Sequence, residues 1–158
     1  MSVDQAGNDV GDLINPRGVV AQLRAPGKKQ VLQELARRAA TMTGIADKRI
    51  YDALAERERL GTTGIGTGIA IPHCRLSELN RLYGMFARLE RPIPFEAIDD
   101  QPVDLVFLLL APVEAGAEHL KALARVSRLL RDKAMCEKLR GANSADALYA
   151  LLTGGATG

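Results

Sequence analysis

The stretch Gly61-Thr-Thr-Gly-Ile-Gly-Thr-Gly-Ile-Ala-Ile-Pro-His73 delivers an imidazole at the end of a glycine-paved strand. Side chains alternate faces along a strand, so Gly64, Gly66, Gly68 and Ala70 share one face while Ile65, Thr67, Ile69 and Ile71 share the other. The isoleucine face packs. The glycine face admits a close neighbour, the usual reason for glycine inside a strand. Pro72 has no N–H for a ladder, so the strand is expected to stop there and leave His73 in a loop. Two readings stand at this point: a tight sheet crossing with an ordinary surface histidine, or a strand end that presents a nucleophile.

Upstream, Val19 to Leu23 reads as a short strand and Ala25-Pro-Gly27 as a turn. A helix from about Lys28 to Met42 follows, with Val31, Leu32, Leu35, Ala39 and Met42 at helical spacing. A second helix follows Asp47, a natural N-cap, and ends before Gly61 with Ile50, Leu54 and Arg57 along one face. Arg57 therefore either covers carbonyls of the last helical turn or reaches toward His73. Downstream, Tyr83 to Leu89 and Val103 to Leu110 read as strands, the second apolar enough to be buried on both faces. Such a sheet needs helices on both sides. Glu90 to Pro102, with three prolines and with Phe95 and Ile98, reads as an ordered surface excursion. Helices are expected over about 117–131, 133–140 and 144–152, the last capped by Ser144. The sum is a single α/β (α+β) domain over 13–152 in which helices outnumber strands. A mobile arm (1–12) and a frayed tail (153–158) flank it.

Composition narrows the function. With 158 residues and 47% hydrophobic content the chain can bury a proper core. Its 21 basic and 19 acidic residues are interspersed, and aromatics are 4% with no tryptophan, so neither a basic stripe nor a stacking platform for nucleic acid stands out. The longest apolar run, Val103 to Val113, contains Asp104 and is too short for a bilayer. The start is acidic and polar through Asp4, Asp9 and Asp12, with no apolar leader, and a cytoplasmic protein is expected. Cys74 and Cys136 are unpatterned and read as free thiols. His73, Cys74, His119 and Cys136 lack metal-ligand spacing, so no metal site and no cofactor are expected. A dinucleotide fingerprint would need glycine at Ile69, a P-loop would need Gly-Lys-Ser/Thr, and no serine or cysteine stands in a nucleophile elbow.

The glycine stretch resembles the phosphorylation-site motif of phosphotransferase-system (PTS) IIA proteins of the fructose/mannitol class, above all the nitrogen-regulatory branch. The matching residues are Arg57-Glu58-Arg59-Leu60-Gly61, Gly64-Ile65-Gly66 and Gly68-Ile69-Ala70-Ile71-Pro72-His73. The likeness continues through Pro92-Ile93-Pro94-Phe95, Ile98 to Asp104 and His119-Leu120-Lys121-Ala122-Leu123. It spans about residues 13 to 152. Cys74 departs from the glycine usual after the histidine, and Thr67 from the asparagine common in the regulatory branch. The resemblance implies a mixed central sheet flanked by helices on both faces, His73 as phosphoryl acceptor, and His119 in contact with the transferred group. It also implies a small histidine phosphocarrier (HPr- or NPr-like) as donor and regulated partners such as transporters or sensor kinases. A sugar-specific IIA component that passes the group to a IIB cysteine is the alternative within the family. A non-catalytic binding module is the alternative outside it.

The residue types suit this chemistry. An imidazole with a pKa of about 6.5 is mostly neutral at cytoplasmic pH and keeps a lone pair for attack on phosphorus. Phosphoryl transfer then asks for positioning and for donors around the equatorial oxygens. Arg57 offers a planar fork, and His119 stands in the first turn of its helix, where backbone N–H groups favour an anion. His119 also shares a face with Leu123, Val126 and Leu130, so a half-buried structural histidine is the competing reading. Thr62, Thr63 and Thr67 are candidate hydroxyl donors to phosphate, though threonine also simply suits strands.

Overall fold

A computed structural model of the protein describes residues 10–154. Its strands are β1 (Ile14–Leu23), β2 (Gly64–Gly66), β3 (Ile69–Ala70), β4 (His73–Leu76), β5 (Tyr83–Ile93) and β6 (Val103–Pro112). Its α-helices are α1 (Lys28–Thr43), α2 (Asp47–Arg59), α3 (Gly116–Arg131), α4 (Lys133–Gly141) and α5 (Ala145–Leu152). One sheet runs in the order β1-β5-β6-β3-β2, and β4 follows β3 along the same side of β6. β5 is antiparallel to β6, whereas β1 is parallel to β5 and β3 and β4 are parallel to β6. The sheet is mixed.

Strand β6 sets the layering through its alternation. Val106, Leu108 and Leu110 pack with Leu35 of α1 and Ile50 and Leu54 of α2. Leu105, Phe107 and Leu109 pack with Val126 and Leu130 of α3, Leu139 of α4 and Leu148 of α5. A strand apolar on both faces needs a helical layer on each, and the chain supplies two helices for one and three for the other.

The glycine stretch departs from the expected single strand. Thr67 (φ 56°) and Gly68 (φ 85°) both take positive φ, the mirror-image two-residue turn that right-handed strand twist favours, and they fold β2 back on β3. The stretch therefore supplies two short strands and the start of a third. The described residues hold six strands, five α-helices and one 3-10 turn at Val113–Ala115, so the expected excess of helices is not found. Part of the face reading stands, since Ile69 and Ile71 enter one core and Ala70 the other. A Cβ on Gly64 would lie 2.9 Å from Ala97, the close neighbour its face admits. Pro72 does not end the pairing. It lacks an N–H, but its carbonyl accepts from the Leu109 N–H at 2.9 Å, and the ladder resumes with His73 opposite Leu109. His73 is thus a strand residue and not a loop residue.

Positive φ is unfavourable for a β-branched residue, by roughly 1–2 kcal/mol, whereas asparagine tolerates it. Thr67→Asn should therefore stabilise the hairpin, raising the urea midpoint by the equivalent of about 1 kcal/mol with an unchanged m-value. A lowered midpoint would mean that the threonine hydroxyl, which donates to Gly66 O at 2.6 Å, outweighs the strain.

Other differences are local. β1 starts at Ile14, five residues earlier than expected, because a register irregularity before Val19 lets it pass Pro16 and Gly18. β5 likewise runs on through Pro92 to Ile93, which shortens the surface excursion. Asp47 is the first residue of α2 and not its cap; Ala46 holds the cap position, and the Asp47 carboxylate sits at the positive helix end. Ser144 caps α5 as expected, accepting from the Ala147 N–H at 3.1 Å. Asp132 caps α4 in the same way, through Ala134 and Met135. Of the arm expected over 1–12, residues 1–9 lie outside the described residues. Val10 is buried and donates its N–H to Leu152 O, and Asp12 pairs with Arg125, so these residues belong to the packed domain. Of the expected tail, 155–158 lie outside the described residues, and the Thr153 N–H donates to Tyr149 O at the end of α5. No helix among the described residues is long and apolar enough to cross a membrane.

Candidate active site

His73 opens β4 on the edge of β6, and its ring is held by its own chain. Nδ1 lies 2.8 Å from Ile71 O. A carbonyl oxygen only accepts, so Nδ1 carries the proton and Nε2 keeps the lone pair. Arg57, in the last turn of α2, donates from Nε to His73 Nε2 at 3.2 Å and from Nη1 to Gly61 O at 2.9 Å. Arg57 meets the imidazole with one arm of its guanidinium, while the other covers a carbonyl beyond the helix end and not one of the last turn.

His119 comes from the first turn of α3 and is 4% exposed. Its ring stands edge to face with that of His73, centroids 5.6 Å apart. Nδ1 accepts from Arg75 Nε at 3.0 Å, so the proton of the neutral ring is on Nε2. That buried Nε2–H has no hydrogen-bond partner among the described residues. Both readings of His119 are partly realised, because the ring lies in the packed face of α3 yet holds an unused donor beside His73. Arg75 is the residue that sequence reasoning missed. The signal was available once His73 is known to lie in a strand, since positions 73 and 75 then share a face.

The electrostatics keep both imidazoles neutral. Burial depresses the His73 pKa first of all; the Arg57 and Arg75 charges depress it further, against opposing contributions from the Ile71 carbonyl and Glu58. Burial, then His73 and Arg75, pushes the His119 pKa down to about 4. A group whose folded pKa lies below its unfolded value binds more protons when unfolded, so stability falls as pH drops below about 6.5. For His119 that loss continues to pH about 4. Urea denaturation between pH 7.5 and 5, above most carboxylate titration, should show this decline, and His119→Phe should make it shallower. An equal slope in both proteins would return the decline to other groups.

A shallow depression of about 500 Å³ surrounds the pair, lined by Arg49, Glu56, Arg57, His73, Arg75 and His119, with Leu60, Leu120 and Leu123 beside them. Leu60 and Leu120 are 82% and 65% exposed, an apolar rim around a cationic centre. The threonines do not line it. Thr62 Oγ1 donates to Phe95 O, Thr63 Oγ1 to Glu58, and Thr67 Oγ1 to Gly66 O at the far hairpin turn, so each hydroxyl proton is already used. Cys74 also borders this depression, but as the next residue along the strand its side chain points to the opposite face from His73 and is buried in the core shared with α1 and α2. Burial pushes its thiol up to about 12, so it stays protonated at neutral pH, the form that is a poor nucleophile. Cys136 is also free and buried. Among the described residues no three His, Cys, Asp or Glu side chains come together as a metal site would require.

Comparison with known proteins adds identity to this geometry. Residues 12–154 match the family model described as phosphoenolpyruvate-dependent sugar phosphotransferase system, EIIA 2. A nitrogen regulatory protein of Bradyrhizobium diazoefficiens is 53% identical over 143 residues, covering 90% of this chain and 94% of that one. A nitrogen regulatory protein of Klebsiella oxytoca is 41% identical over 145 residues, covering 91% and 90%. The crystal structure of nitrogen regulatory protein IIA-Ntr from Neisseria meningitidis superposes with a TM-score of 0.86 at 32% identity, covering 90% of this chain and 98% of that one.

Proposed function

This chain belongs to the phosphoenolpyruvate-dependent sugar phosphotransferase system EIIA 2 family, and from that premise we propose that it is a nitrogen-regulatory IIA protein that takes a phosphoryl group on His73 Nε2. The observation that carries the reading is the pairing of a lone pair with an unused donor. His73 offers Nε2, and the neighbouring His119 holds a buried Nε2–H with no partner among the described residues. A buried donor left unpaired costs about 1–3 kcal/mol, and an anionic phosphoryl oxygen would satisfy it.

The transfer balances simply. The His73 Nε2 lone pair forms the new N–P bond while the N–P bond of the donor's phosphohistidine breaks, and the donor imidazole, protonated on its other ring nitrogen, takes the bonding pair and leaves neutral. The Nδ1 proton stays on His73, held by Ile71 O. Arg57 gives up its contact with Nε2 and donates instead to an equatorial oxygen. Arg75 keeps the His119 ring in the tautomer that donates, because its own N–H occupies Nδ1. The donor is a small histidine phosphocarrier docking on the Leu60 and Leu120 rim, and the phosphorylation state is the signal read by target proteins in the cytoplasm. Similarity to the two nitrogen regulatory proteins supports that output over sugar transport.

Incubation with phosphoenolpyruvate, enzyme I and a histidine phosphocarrier should give a protein carrying one acid-labile, base-stable phosphoryl group. No adduct with any phosphocarrier, from a folded sample, would overturn the reading. Rapid onward transfer to a IIB cysteine would assign the protein to sugar transport instead.

A further inference from the structure

We propose that Lys28 and Glu58 are positioning residues for His73, acting through a chain of hydrogen bonds that fixes which ring nitrogen carries the proton. The inference rests on His73 being the phosphoryl acceptor. Lys28 Nζ meets Glu58 Oε1 at 2.9 Å, with side chains only 17% and 6% exposed. Glu58 Oε1 accepts the Thr63 N–H at 3.1 Å, and Oε2 accepts the Thr63 hydroxyl. Thr63 O accepts the Ile71 N–H at 2.9 Å. Ile71 O takes the proton of His73 Nδ1 at 2.8 Å. An ion pair at the junction of two helices is thus joined, without a break, to the imidazole.

The placement of the two charges argues against a role in helix stability. Lys28 is the first residue of α1, at the positive end of that helix, and Glu58 lies in the last turn of α2, at the negative end. Each charge opposes its own helix dipole. A buried pair of this kind is weak support for a fold, since apolar residues of similar volume commonly do as well. What apolar residues cannot do is accept the Thr63 N–H and hydroxyl. The second contacts of Lys28, Glu96 at 3.1 Å and the Phe95 ring at 4.8 Å, hold the ammonium over the segment that receives the Thr62 hydroxyl. Both residues of the 62–63 segment leading into β2 are therefore pinned, and Ile71 follows.

The consequence reaches the nucleophile. If Ile71 O drifts, the imidazole proton is free to move to Nε2, where it would occupy the attacking lone pair and confront the Arg57 Nε–H, donor against donor. Glu58 also stands in the last turn of the helix that carries Arg57, so one carboxylate sets the bearing of both groups.

The test uses the full chain, ¹⁵N-labelled on histidine, at pH 7.5. Two-bond ¹H–¹⁵N spectra of the unphosphorylated protein should show His73 as the Nδ1–H tautomer. Glu58→Gln, which keeps the shape and loses the charge, should add a visible Nε2–H population and slow phosphorylation about tenfold. The half-saturating phosphocarrier concentration should not change, because the pair lies beneath the surface. The apolar double variant Lys28→Met with Glu58→Leu should lose about a hundredfold at a melting temperature close to the parent's. A wild-type tautomer spectrum in Glu58→Gln, or a loss confined to half-saturation, overturns the proposal, and this variant decides alone if the double variant does not fold. The spectrum needs no phosphoryl donor. Failure of the parent protein to accept a phosphoryl group would therefore sink the functional reading and leave the relay standing, while an unchanged spectrum beside normal acceptance would sink the relay alone.

Discussion

His73→Ala is expected to abolish phosphoryl acceptance outright, leaving an intact-mass spectrum with no phosphoryl adduct after hours with phosphoenolpyruvate, enzyme I and phosphocarrier. The fold should survive. His73 is half-buried at the start of an edge strand, and its ring makes one hydrogen bond to Ile71 O and one to Arg57, which keeps its second bond to Gly61 O. Losing two such bonds at a partly solvated site costs about 1–2 kcal/mol. An alanine variant that still gains one phosphoryl group would move the nucleophile elsewhere, with His119 the first place to look.

The second large effect is expected at His119. Phenylalanine keeps most of the ring's volume and removes both nitrogens, so His119→Phe isolates the loss of the Nε2–H donor. Transfer should slow by about two to three decades, the usual cost of removing one donor aimed at developing charge. The loss should fall in the maximal rate, because the contact strengthens only as charge moves onto the transferring oxygens. Stability should hold or rise slightly, since the variant also removes a buried donor that has no partner among the described residues. Rapid-quench kinetics across phosphocarrier concentrations and a melting curve check both halves. A normal maximal rate would return His119 to the core as a packing residue.

Much of this molecule was legible in the order of its residues, and the parts that were not share a physical cause. The apolar run of β6 announced a strand buried on both faces, and from it followed helices on both sides. Helical spacing placed α1, α2 and α3 within a few residues, and the Ser144 cap was read correctly. Face alternation failed in the glycine stretch because it presumes an unbroken strand, and the turn at Thr67–Gly68 resets the count. Threonine there gave no warning, being a good strand residue forced into a turn residue's conformation. Proline was read as the end of a ladder, although its carbonyl still accepts, and that error hid β4 and with it Arg75. His73, Arg57 and His119 are distant in sequence yet meet in the fold; the glycine loop after its helix brought Arg57 toward His73 as one of two readings, and the family resemblance was needed to tip His119 to the same place. Thr62, Thr63 and Thr67 looked like donors because sequence shows which groups a side chain has, while only the fold shows which are already engaged.

The most direct measurement is the identity of the nitrogen bonded to phosphorus. Uniformly ¹⁵N-labelled protein, phosphorylated through the phosphocarrier and held at alkaline pH, should show a one-bond ¹⁵N–³¹P coupling on Nε2 of His73, with Nδ1 uncoupled to phosphorus. A coupling on Nδ1 of His73, or on either ring nitrogen of His119, would contradict the assignment of the lone pair on which the mechanism is built.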